Sequence, residues 1–316
     1  MIESFTTIFL SIILEAIPFV MIGAFISSII QLFVSEQTIA RIIPKNRFVG
    51  LLTASLMGLI FPVCECAIVP IMRRLVKKGV PLHIAVTFML AVPIVNPVVL
   101  ASTFYAFNGS IYMVFLRGWL GLCGAILIGH IIGVMQGKKS PLKEEKIVFN
   151  VINGCGHGDD HEHHEHSSCC DHDHSIVADN SLISRAKSVL QHTSMELYDV
   201  GKFLIMGAFL SSIMQTYVSR SYLLTIGQGQ VSSVLVMLTL AFVLSLCSEA
   251  DAFIARTFLG QFTTGSIVGF LILGPMIDIK NVMMLSGSFN AKFVIRLVGL
   301  VFIVCFALSM LVNFIL

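Results

Sequence analysis

Two thiols and a carboxylate stand at Cys64-Glu65-Cys66, directly after Phe61-Pro62-Val63 and at the end of a long apolar run. A bilayer tolerates few such groups. A charged side chain at its centre costs roughly 2.5 to 3.5 kcal/mol on insertion scales, and such residues usually line a protein-enclosed pathway. The motif therefore points to a transporter or channel. On an ideal helix residues two apart diverge by about 200°, whereas extended backbone turns them the same way. Both thiols can grip one ion only if the helix breaks here, and Pro62 and Pro70 supply breaks on either side. Thiolates favour soft species such as Cu(I), Zn(II) and, by the same chemistry, trivalent arsenic. The bland alternative is that these are buried thiols packing as small hydrophobes.

Further groups repeat the theme. Cys247-Ser248-Glu249-Ala250-Asp251 again sets a thiol beside carboxylates within an apolar stretch, so Cys247 offers a third sulfur. Glu65, Glu249 and Asp251 are candidates for proton exchange with a cargo; pairing with Arg73, Arg74 or Arg256 is the structural alternative. Asn96 lies between Pro93 and Pro97, and Asp278 follows Gly274-Pro275. Two prolines four apart cannot continue a regular helix, and carbonyls freed beside an amide or carboxylate can coordinate a cargo. The alternative is a packing kink. Glu15 and Asp199 read as helix-end polar groups.

A different chemistry fills the centre of the chain. Cys155, His157, His161, His163, His164, His166, Cys169, Cys170, His172 and His174 fall within a short polar tract that holds seven of the ten histidines. Imidazole, thiolate and carboxylate together bind Zn, Cu, Ni or Co in some geometry. No tightly bound cofactor is expected, and the tract reads as a labile metal-gathering or sensing loop, or as an incidental metal-sticky linker.

The elements that must position these groups are membrane helices. The 316 residues are 56% hydrophobic and 12% charged, with a mean hydropathy of +0.91, against about 25% charged residues in soluble domains. The apolar run from Phe5 to Val34 is too long for a signal-peptide core, so it is expected to remain as the first span. A net charge of +2 with short basic clusters gives no sign of nucleic-acid binding. Eight hydrophobic segments, 5-34, 48-72, 82-107, 111-135, 194-218, 230-255, 264-286 and 293-316, divide into two groups of four. Adding 184 to each number sets Phe19, Gly23, Ala24, Phe25, Ser27, Ser28, Ile29, Gln31, Val34 and Ser35 against identical residues from Phe203 to Ser219. The expected fold is an all-α polytopic membrane protein: a first repeat over 1-136, a cytoplasmic His-rich loop over 137-192 and a second repeat over 193-316, with broken or re-entrant helices at a pseudo-symmetric centre. Gly23, Ala24, Ser27 and Ser28 form a small-residue face suited to helix packing.

Topology has two readings. If all eight segments cross, the repeats are parallel and the basic loops at Arg41 to Arg47 and Arg73 to Lys78 lie on opposite sides, against the positive-inside tendency. If 48-72 and 230-255 enter and return on one side, those loops become cytoplasmic and the repeats are inverted. The unequal apolar legs around Cys64 and Cys66 fit a crossing better than a hairpin.

The Phe61 to Cys66 motif running into Val69-Pro70, the Pro93-Ile94-Val95-Asn96-Pro97 break and the stretch Cys247-Ser248-Glu249-Ala250-Asp251-Ala252-Phe253 resemble the YraQ/ArsP-type predicted permeases. The likeness covers both membrane halves and not the central loop. It implies efflux of trivalent organoarsenicals or of divalent metals, with Cys64 and Cys66 as the metal-contacting pair. Some relatives are thought to act with a separate envelope partner subunit. The His-rich tract lies outside that pattern and draws the cargo towards divalent cations.

The resulting expectation is a multi-pass cytoplasmic-membrane exporter for a thiophilic metal or metalloid, not an enzyme, surrounded by lipid and open to homo-oligomerisation. No Gly-rich nucleotide loop is present, so energy would come from a proton gradient or a partner protein. A permease for a sulfur-containing or anionic solute, a membrane thiol relay and a metal sensor are the other readings.

Overall fold

The computed structural model describes residues 2–33, 46–59, 65–136, 141–142, 182–217 and 229–315. Among these there are twelve α-helices and no strand. The first six are α1 (Ile2–Phe33), α2 (Arg47–Leu56, extended by a 3-10 turn over Met57–Leu59), α3 (Glu65–Lys77), α4 (Leu82–Val95), α5 (Pro97–Ala106) and α6 (Ile111–Gln136). The second six follow the same pattern: α7 (Leu182–Tyr217), α8 (Gln230–Leu244), α9 (Asp251–Arg256), α10 (Thr264–Met276), α11 (Ile279–Ser288) and α12 (Ala291–Ile315). Cys64 and the tract from Cys155 to His174 lie outside the described residues.

Six described segments are long and apolar enough to cross a membrane: Phe5–Ile29, Leu82–Ala106, Ile111–Met135, Val189–Thr216, Thr264–Ser288 and Ala291–Ile315. Two of these, Leu82–Ala106 and Thr264–Ser288, are 78% and 89% buried, against 35% or less for the other four, so they form the centre of the bundle. Both are broken midway, as the prolines require. α4 stops at Val95, and Asn96 caps α5 with its side chain accepting from the Val98 amide at 2.9 Å, with Pro97 at the first helical position. In the second half α10 stops at Met276, and Asp278 caps α11 by accepting from the Asn281 amide at 2.7 Å. Each broken span runs antiparallel to the helix that follows it. In the first half Gly129 lies over Thr87, Gly121 over Ile94, and Arg117 bonds to Thr103; in the second Gly269 lies over Ser309 and Met276 meets Cys305.

The remaining elements are hairpins that enter and leave at one end of the bundle. Arg47 at the start of α2 donates from Nη2 to the His130 carbonyl at 3.1 Å, and Phe48 stacks on the His130 ring, near the end of α6. His83 at the start of α4 lies against Gly129 and Gly133 at that same end. Gly58, after α2, meets Val92 near the break, and α3 brings the chain back to a turn through Gly79 (φ 90°) into α4. The second half repeats this: Ser233 in α8 hydrogen-bonds to Ser266 in α10 at 2.7 Å, and α9 turns through Gly260 (φ 81°) into α10. The 10 residues of α2 and 15 of α8 span about 15 and 22 Å, short of a hydrocarbon core of about 30 Å.

The hairpin therefore replaces the crossing that the unequal apolar legs suggested. The return leg, α3, is 13 residues long, and every residue from Glu65 to Arg73 is buried. A leg screened from lipid by its neighbours has no need to be apolar.

The two halves are inverted. α1 and α7 pack antiparallel: Phe5 and Phe9 set their rings edge-on to Phe209 at 5.5 and 6.3 Å, while at the other end Thr193 donates to the Ser28 hydroxyl at 3.1 Å. The small-residue faces are enclosed, with Ala24, Ser27 and Ser28 and their counterparts Ala208, Ser211 and Ser212 buried; Ser28 meets α7 at Thr193, while Ser211 donates to the Val243 carbonyl of α8. Gly23 is the residue that lets α1 reach α3, because a Cβ there would stand 2.7 Å from the Ala67 backbone.

The pair α1 and α7 breaks the symmetry. α1 lies on α3 and α7 on α11; among the described residues no comparable contact joins their symmetry equivalents, α7 with α9 and α1 with α5.

Candidate functional site

Near the depth where the central spans break, the start of α3 meets the turn between α8 and α9. Ser248, after α8 and before α9, donates from Oγ to Glu65 Oε2 at 3.0 Å. Glu65 opens α3 and Asp251 opens α9, so the two acids hold equivalent places in the two halves. Both are buried, as are Cys66 and Cys247. Glu249 is half-buried at the same turn, within electrostatic reach of Glu65 and Asp251. The structure thus draws Glu65, Cys66, Cys247, Glu249, Asp251 and Asp278 into one region.

Two buried cations sit among them. Arg117 of α6 is fully enclosed and donates from Nη2 to Asp251 Oδ2 at 2.7 Å and to the Ser248 carbonyl at 3.1 Å, and from Nη1 to Thr103 at 2.8 Å. It ties α5, α6 and the second hairpin together. Lys280 of α11 places Nζ 3.6 Å from Asp278 Oδ2, beyond hydrogen-bond length, and its charge also reaches Glu65, Cys66 and Cys247. Neither cation is among the residues singled out above. Each interrupts an apolar segment, which is the same signal that marks Glu65.

The alternative ion pairing is corrected in one respect. Asp251 pairs with Arg117 rather than with Arg256, which instead donates to the Ala106 carbonyl and to Asn108 Oδ1, both at 2.6 Å. Asn96 Oδ1 accepts from the Val98 amide and caps α5, as Asp278 caps α11. Glu15 is exposed on α1, within electrostatic reach of Cys247. Cys305 donates its thiol to Met276 Sδ at 3.8 Å and is a packing group. Among the described residues no group of three His, Cys, Asp or Glu side chains could hold a metal ion; the site there offers two sulfurs, Cys66 and Cys247.

A buried cluster of charges where two inverted repeats meet is the arrangement of a secondary transporter. Comparison with known proteins agrees, because the predicted permease family of ArsP type matches residues 1–314. The chain belongs to that family. This permease is 46% identical over 307 residues to the UPF0718 protein YcgR of Bacillus subtilis, covering 97% of this chain and 96% of the relative. It is 39% identical over 292 residues to a Streptococcus mutans protein named as a subunit of a two-component membrane permease complex, covering 92% and 89%. The UPF0718 protein YraQ of Escherichia coli is 25% identical over 114 residues, 36% of this chain and 30% of the relative. No solved structure matches the permease. Its family makes it a multi-pass membrane transporter rather than an enzyme.

Proposed function

We propose that the permease exports a thiophilic metal or metalloid species through the region where the hairpins meet. The observation that carries this reading is the convergence of Cys66 and Cys247, one from each repeat, beside Glu65 and the Lys280 ammonium. Two thiols from opposite halves can hold one soft ion between them, with Cys64 as a further ligand, and a change in the packing of the halves then alters the grip. Lys280 offsets the charge that bound thiolates bring.

The ends of the bundle support an outward direction. Arg47, Arg73, Arg74, Lys77 and Lys78 belong to the end where α2 begins and α3 and α6 finish, and Lys138, Lys139 and Lys143 follow α6 in sequence. The positive-inside tendency makes that end cytoplasmic. The His-rich tract from Cys155 to His174 would then collect divalent cations on the side from which cargo departs.

Access alternates through the α1–α7 pair, which sits on α3 and α11 but has symmetry-equivalent positions on α5 and α9. Exposed Val98, Phe104, Tyr105 and Phe253 supply an apolar surface there. The relative named as a subunit of a two-component complex supports a separate partner subunit for this permease as well. The reading is tested by reconstituting the protein in liposomes loaded with trivalent methylarsenite, Zn(II), Cd(II) or Cu(I) and measuring release. Release of one species that falls at least tenfold in Cys66→Ser and in Cys247→Ser supports it; equal release from wild type and both variants overturns it in favour of an anion permease.

A further inference from the structure

Two serines that the repeat makes equivalent are used differently. Adding 184 sets Ser27, Ser28 and Gln31 of α1 against Ser211, Ser212 and Gln215 of α7. Ser28 and Ser212 behave alike, each donating within its own helix, to the Ala24 carbonyl at 2.8 Å and to the Ala208 carbonyl at 2.7 Å. Ser211 instead reaches out of α7 and donates to the Val243 carbonyl of α8 at 3.0 Å. Gln215 Nε2 donates to the Leu244 carbonyl at 2.7 Å and to Ser211 Oγ at 3.2 Å. Ser27 is fully buried, and its hydroxyl has no hydrogen-bond partner among the described residues.

The last carbonyls of a helix have no partner within it, so Ser211 and Gln215 form a clasp supplied from outside α8. The helix ends there at Ser245 in the left-handed region (φ 47°), which disfavours a residue with a side chain. Cys247 follows two residues on, and its carbonyl accepts from the Ala250 and Asp251 amides to make the turn. The clasp therefore holds the backbone that enters this turn. In the first half α1 lies on α3, and among the described residues no contact comparable with that of α7 on α8 joins α1 to α2. The equivalent hydroxyl is stranded. A buried hydroxyl without a partner is costly, and Ser27 does not take the carbonyl four residues back, as Ser28 does.

We propose that Ser211 and Gln215 are positioning residues for Cys247, and that Ser27 is their idle counterpart, which takes up the end of α2 when the α1–α7 pair exchanges seats. One clasp is closed in each arrangement. Here the end of α8 is held, and in the other arrangement the end of α2 is held, so the two hairpins are fixed in turn. The inference rests on the alternating access proposed above, yet it concerns the groups that hold each arrangement and is tested without cargo.

The experiment is hydrogen exchange of the full-length protein in detergent, with no metal added, read by mass spectrometry on the peptide that carries the Ala250 and Asp251 amides. Their exchange reports the fraction of molecules in which the turn is released. Ser211→Ala and Gln215→Met should each speed it by about fivefold, the change that one lost hydrogen bond brings. Ser27→Ala should slow it by a similar factor, because the competing clasp is gone. Ser27→Ala/Ser211→Ala should return close to wild type, and Ser211→Thr, which keeps the hydroxyl, should match it. Unchanged or faster exchange in Ser27→Ala overturns the proposal, since a merely structural defect on α1 does not tighten a turn in the other half. If Ser211→Ala does not fold, Gln215→Met and Ser27→Ala decide. Loss of metal release would leave these shifts untouched, and absence of the shifts would leave the thiol ligands untouched.

Discussion

The hydroxyl of Ser248 donates to Glu65 Oε2 at 3.0 Å, joining two residues 183 apart in sequence and linking the start of α3 to the turn between α8 and α9. Replacing Ser248 with alanine strips one oxygen of a buried carboxylate of its donor, a loss of about 1 to 3 kcal/mol. Ser248→Ala is expected to lower both the melting temperature and the transport rate, whereas Ser248→Thr, which keeps the hydroxyl, restores most of each. Equal melting and transport in wild type and Ser248→Ala would show that the bond contributes nothing.

Arg117 and Asp251 form the tight pair of the core, with side chains 0% and 2% exposed. Removing one partner of such a pair typically costs about 3 to 5 kcal/mol, because the other charge is left buried and unmatched. Arg117→Met should therefore melt well below wild type. Arg117→Met/Asp251→Leu should recover much of the loss, since two apolar groups leave no charge stranded. Additive losses in the double variant would contradict the pairing.

The hairpin topology predicts which residues share a face of the membrane. Lys77 and Gln136 belong to one end, Asn108 and Gln261 to the other. Single cysteines at Asn108 and Gln261 should react from outside the cell with a membrane-impermeant maleimide, and one at Lys77 should react only after the membrane is opened. Labelling of Gln261 and Lys77 from the same side would restore the eight-crossing arrangement.

Much of this architecture is legible in the sequence. The eight segments, the repeat and the two mid-span breaks follow from apolar length, residue identity and proline spacing. The hairpin was harder to read. Counting apolar residues after Cys66 gives a short leg, because Arg73 and Arg74 look like the start of a loop, yet α3 continues through both. Enclosure by other helices is a tertiary fact, and only the positive-inside argument hinted at it. The site was legible in its acids and thiols, which stand out by type, while Arg117 and Lys280 acquire meaning only through partners 134 and two residues away. The separation of the tight Arg117–Asp251 pair from the looser Lys280–Asp278 pair is a matter of distances that no spacing rule supplies.

The lopsided seat of α1 and α7 gives a further prediction. In the symmetry-related arrangement α1 would lie on α5 and α7 on α9. Cysteine pairs at Ile26 with Val98, and at Leu210 with Phe253, should be joined by a short thiol crosslinker in a fraction of molecules that rises severalfold when cargo is added. Absence of either product with and without cargo would rule out exchange of the helix pair.

The central claim is that the thiols at the hairpin turns handle a soft ion on its way out of the cell. Its most direct test is accumulation of trivalent methylarsenite, arsenite, Zn(II), Cd(II) and Cu in cells that lack their own exporters, expressing wild type or Cys64→Ser/Cys66→Ser at matched membrane levels. The account predicts lower accumulation of at least one species with wild type, lost in the double variant. Equal accumulation of every species in wild-type, variant and empty-vector cells would contradict it.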